Sequence, residues 1–142
     1  MGKPIAKKRP RFVRRGAFVG TYNDQETEEG RFLLQITEQS KKYGVKLPLS
    51  GPIWIEIAFD MPIPKSTSKK NVVKMMTGEI EHTKKPDIDN LVKFVLDCFN
   101  GHIIGDDSSV VCLRAKKRYA KDPLTNIVIS YDVKFNEVTN EL

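Results

Sequence analysis

Residues 88–101 read Ile88-Asp89-Asn90-Leu91-Val92-Lys93-Phe94-Val95-Leu96-Asp97-Cys98-Phe99-Asn100-Gly101, and this stretch decides the fold. Ile88, Leu91, Val92, Val95, Leu96 and Phe99 recur at spacings of three and four, the period of a helix with one apolar stripe. Gly101 is placed to end it, because glycine enters the left-handed turn that closes a helix without steric cost. The stripe reads as core, leaving Asp89, Lys93 and Asp97 on the polar flank.

Working outward, Phe32, Leu33, Ile36 and Tyr43 predict an earlier helix from about Asp24. Asp24 or Thr27 suits its cap, Lys41 and Lys42 its last turn, and Gly44 its end. Pro48 and the Ser50-Gly51-Pro52 turn then lead to a strand, Ile53 to Phe59, with Ile53, Ile55, Ile57 and Phe59 on one face. Downstream, Val110 to Tyr119 alternates Val111, Leu113 and Ala115 against Arg114, Lys116 and Arg118. Asp122-Pro123 turns the chain into a last strand, Asn126 to Phe135. The expectation is an α+β fold: two helices on a small mixed or antiparallel sheet, residues 1–142 forming a single domain. Residues 1–22 read as a basic arm or edge strand. Residues 62–86 read as a basic loop, with room for a short hairpin from Val72 to Ile80 turning near Gly78.

A chain of 142 residues can bury a real core, and 39% apolar with 30% charged residues fits a soluble protein. No apolar run is long enough to span a membrane, and the basic N-terminus lacks the apolar stretch of a signal peptide. Cys98 and Cys112 form no CxxC pair and read as reduced thiols of a cytoplasmic protein. With His82 and His102 the only histidines, a zinc site is not expected.

The formal net charge is +6, and it is gathered in three clusters. The first runs from Lys3 to Arg15 with no acid. The second holds Lys65, Lys69, Lys70, Lys74, Lys84 and Lys85, and the third Arg114, Lys116, Lys117, Arg118 and Lys121. Such clusters point to nucleic acid. Between the last two lie the acids Asp87, Asp89, Asp106 and Asp107. Taken singly, each has an ordinary role: Asp87 an N-cap, Asp89 a partner of the helix dipole and of Lys93, Asp106-Asp107 a turn. Together they would repel a docking polyanion unless a divalent cation lay between. Oxygen-only carboxylate sets suit Mg²⁺ or Mn²⁺, which activate water and neutralise charge on phosphate. Lys93 would add fixed positive charge to the same reaction, the pattern of a metal-dependent nuclease. The alternative is a non-enzymatic nucleic-acid-binding protein whose acids are caps and ion pairs.

The segments KPDIDNLVKFVLDCFNG (85–101) and IIGDDSSVV (103–111), with the lysine-rich strand that follows, resemble the RusA family of Holliday junction resolvases. PIPKSTSKK and KKRPRF resemble its phage and prophage members more loosely. The resemblance implies catalytic, metal-binding carboxylates at Asp87, Asp89 and Asp107, with Asp106 ranked below Asp107. It matches Lys93 to the family's functional lysine and Asn90 to its motif asparagine. It also implies a homodimer that binds four-way junction DNA and makes paired, symmetric nicks with Mg²⁺ or Mn²⁺. Lys69, Lys70, Lys116 and Arg118 are the expected phosphate contacts.

Overall fold

Every second residue from Ile53 to Met61 is apolar, and that alternation builds the strand at the centre of the molecule. The computed structural model describes residues 3–6, 11–15, 18–22, 26–42 and 44–131. β1 (Arg11–Arg15) and β2 (Phe18–Tyr22) pair antiparallel as a sheet of their own. α1 (Glu26–Lys42), β3 (Ile53–Pro62), α2 (Lys69–Met76), α3 (Ile88–Phe99), β4 (Val110–Ala120) and β5 (Leu124–Tyr131) follow. The main sheet has the order β4-β3-β5, with β3 parallel to β4 and antiparallel to β5. The fold is therefore α+β with a mixed sheet, and three helices among the described residues rather than the expected two.

β3 turns Ile53, Ile55, Ile57, Phe59 and Met61 inward, all buried. α1 and α3 cover that face, with Phe32 against Phe94 at 5.5 Å and against Phe99 at 6.2 Å between ring centroids. Each such fully buried side chain contributes about 1.5–3 kcal/mol to folding. α1 ends as its residues dictate: Gly44 takes φ 69°, and Val45 donates to the Ser40 carbonyl at 2.9 Å. β4 carries a bulge opposite Ile53 and Trp54, where Val110 and Cys112 are the paired residues.

Three expectations change here. Within the expected basic arm or edge strand of residues 1–22, β1 and β2 pair with each other rather than joining the main sheet, and before them Pro4 is buried while Ile5 and Ala6 pack half-buried against the core. The Val72–Ile80 hairpin is instead the helix α2, capped by Ser68, whose hydroxyl accepts the Asn71 amide proton at 3.3 Å. Gly78 does turn the chain, at φ 82°, but it closes this helix. The third change concerns α3. Its buried residues are Leu91, Phe94, Val95, Cys98 and Phe99, so the core stripe is rotated from the expected one and Ile88 is left exposed. Asp24, Tyr43, Val133 and Phe135 lie outside the described residues.

Candidate active site

The rotation of α3 has a chemical consequence. Ile88, Val92 and Leu96, one residue behind Asp89, Lys93 and Asp97 in each turn, line a groove, with Val92 and Leu96 half-buried between it and the core. Leu113 and Ala115 of β4 complete its floor, and Asp89, Lys93, Asp97 and Asp107 line its polar side. The groove is open and holds about 600 Å³.

The acids are not equivalent. Asp87 takes the N-cap position with extended backbone, but its side chain caps nothing. It meets the Lys85 ammonium instead, at 3.1 Å. One Asp89 oxygen accepts the neighbouring Asn90 amide proton at 2.9 Å, and the expected Asp89–Lys93 pair is not among the ion pairs of the described residues. Asp106 is committed to a one-turn 3₁₀ helix, Asp107–Ser109, where it accepts from both the backbone amide and the hydroxyl of Ser108. Those Ser108 hydrogen bonds hold its carboxyl below the usual carboxylate range. Asp107 instead keeps its carboxylate exposed on the groove, while Asn100, at the end of α3, accepts its amide proton at 3.1 Å. Asp106→Asn, which keeps an oxygen for Ser108, is thus expected to lower the activity of the site by about threefold or less. A hundredfold loss in the measured rate would reverse the ranking of the two acids.

α3 and β4 run in opposite directions. Asp107 therefore abuts the C-terminal end of α3, while Lys117, ten residues on, meets the chain just before its start. The acids at the entrance of β4 lie at the far end of the helix from Asp87, while Asp107 lines the same groove as Asp89. Among the described residues, no group of three His, Cys, Asp or Glu side chains is placed to hold one ion. The donor set nonetheless fits a hard divalent cation: Mg²⁺ is typically bound through one or two carboxylates, completing its shell with water and substrate phosphate.

The basic residues divide by position. Lys69 and Lys70 are exposed at the first turn of α2, and α2 packs against β4. Lys116 and Arg118 lie on the sheet face away from the groove, in register with Ala58 and Asp60. Arg118 is held there by Asp60, whose other oxygen accepts from Asn126 at 3.0 Å, one hydrogen-bonded set across all three strands. Asp60 raises the Arg118 pKa further above its ordinary value. Lys117, which the sequence reading did not single out, donates to the carbonyls of Lys84 and Pro86. Strand alternation held the signal: Lys117 follows Leu113 and Ala115 on the otherwise apolar face.

Over residues 1–130 the sequence matches the family described as endodeoxyribonuclease RusA. The chain belongs to the RusA endodeoxyribonuclease family. RusA nucleases are metal-dependent Holliday junction resolvases that hydrolyse phosphodiester bonds in DNA. An uncharacterized protein of Bacillus subtilis (strain 168), YqaN, is 32% identical over 131 residues, 90% of either chain. Among the described residues no helix is long and apolar enough to cross a membrane.

Proposed function

We propose that this RusA-family chain resolves Holliday junctions as a homodimer, making paired symmetric nicks with Mg²⁺ or Mn²⁺ in the cytoplasm. The observation that carries the reading is the groove along α3, which sets Asp89, Lys93 and Asp107 along one open, partly apolar channel. Asp87, Asp89 and Asp107 are the proposed metal-binding and catalytic carboxylates. When bound, the ion supplies an activated water and neutralises charge on the phosphate. Lys93 holds a positive charge on the groove for the transition state. Lys69 and Lys70 approach phosphate from α2, and Lys116 does so from the outer face of β4. Arg118 is the weakest member of that set, because reaching DNA would break its pair with Asp60. A two-fold dimer suits a substrate in which two equivalent strands are cut. That neither Cys98 nor Cys112 forms a disulfide among the described residues agrees with a reducing compartment.

The test is cleavage of a synthetic four-way junction, a flap and a linear duplex, each with and without Mg²⁺. The proposal expects symmetric, metal-dependent nicks on the junction and little on the duplex. Equal rates on all three substrates would discard junction resolution in favour of another nuclease specificity.

A further inference from the structure

The segment that leads into Asp87 has little structure of its own. From Ile80 to Asp87 it belongs to neither helix nor strand, and Lys84, Lys85 and Asp87 are exposed. Yet the proposed chemistry needs Asp87 and Asp89 held in place. What fixes the segment is β4, the strand whose ten registered pairs with β3 give it a rigid frame. The half-buried Lys117 donates to the Lys84 carbonyl at 2.8 Å and to the Pro86 carbonyl at 3.1 Å. Two residues along, Tyr119 packs its ring against His82 at 4.8 Å. Burial, and then the nearby Lys117 charge, hold the His82 pKa below that of free imidazole.

Hydrogen bonds from an ammonium are charge-assisted and roughly twice as strong as neutral ones. Lys117 thereby grips the carbonyls on either side of Lys85, the second of them one peptide before Asp87. We infer that Lys117 is a positioning residue, which fixes the 84–86 segment so that Asp87 and Asp89 face a metal ion and the scissile phosphate. This rests on the proposed roles of those two acids. Lys117 acts through the backbone, as outer-shell partners do when they orient a ligand, and loss of such partners typically weakens metal binding by about 10–100-fold.

The test uses the full chain. Mn²⁺ binding to the DNA-free protein is followed by electron paramagnetic resonance, and junction binding in EDTA by gel shift. Lys117→Met keeps the aliphatic stem and removes the donors. It is expected to raise the half-saturating Mn²⁺ concentration by about tenfold or more, with junction binding within about threefold of wild type. Lys117→Arg, which retains N–H donors, should recover most of that loss. Where the Met variant does not fold, Lys117→Gln carries the same measurement with one amide donor left. An unchanged Mn²⁺ titration in a folded variant overturns the inference. So does a loss of junction binding with metal affinity intact, which would make Lys117 a phosphate contact. Asp89→Asn separates this from the parent reading: if it cleaves normally, the acids themselves are misassigned, whereas an inactive Asp89→Asn beside an unaffected Lys117→Met removes only the positioning role.

Discussion

Asp89→Asn and Asp107→Asn each lower the rate of junction cleavage at saturating Mg²⁺ by roughly three orders of magnitude, about 4 kcal/mol of transition-state stabilisation. Asparagine keeps the volume and one oxygen but removes the charge that a hard cation requires. Both residues are exposed, so neither change leaves a buried group unpaired, and the fold should lose about 0.5 kcal/mol or less. Junction binding in EDTA should hold or tighten, because each variant removes a negative charge facing a polyanion. Single-turnover kinetics, gel shift and thermal melting read these three quantities separately. If Asp107→Asn cuts at the wild-type rate while Asp89→Asn is inactive, the chemistry belongs to the N-terminal end of α3 alone. That outcome would agree with the absence of a three-acid cluster among the described residues.

The elements legible in the sequence were those whose periodicity had one solution. Ile53, Ile55, Ile57 and Phe59 alternate cleanly, and β3 is where that pattern placed it. α3 was equally plain as a helix, bounded by Pro86 and by Gly101 at φ 78°. Which of its faces is buried was not plain. Apolar residues cover more than half of α3, and only Leu91, Phe94, Val95, Cys98 and Phe99 are fully buried, Val92 and Leu96 being half-buried at the edge of the core. Ile88, Val92 and Leu96 fall to the groove because β4 is the edge strand of the sheet, a tertiary fact that no local spacing encodes. α2 was missed for a different reason. It buries no residue, its β-branched Val72 and Val73 favour strand, and Pro64 with Gly78 punctuate it like a loop; only Ser68 announced the cap. The acids stand out in the sequence by their crowding in a basic chain. Their local partners do not, since Ser108 engages Asp106 and Lys85 engages Asp87 only in the fold. Lys116 and Arg118 show the limit of charge counting. A cluster in sequence splits by alternation: Lys116 and Arg118 share the outer face, where Asp60 engages Arg118, while Lys117 falls on the opposite one.

Lys93→Met lowers the saturated cleavage rate by about 10²–10³-fold while leaving the half-saturating Mg²⁺ concentration within about threefold. Lys93 stands one turn after Asp89 and one before Asp97 on the same stripe, exposed over the groove. Had it been the i+4 partner of Asp89, its ordinary worth would be a few tenths of a kcal/mol of helix stability. The described residues show no such pair, so the ammonium remains available to a substrate oxygen. Methionine preserves the aliphatic stem and removes the ammonium, so the comparison isolates the charge. A group that acts only as charge develops on the phosphate lowers the rate at saturation and spares ground-state binding. A ground-state phosphate contact would instead weaken junction binding and reduce its salt dependence, with the saturated rate unchanged. If the variant shows that second pattern, Lys93 belongs with Lys69 and Lys70 as a docking residue. If it weakens Mg²⁺ dependence in step with Asp89→Asn, its role is to hold that carboxylate, and the groove has lost its proposed transition-state cation.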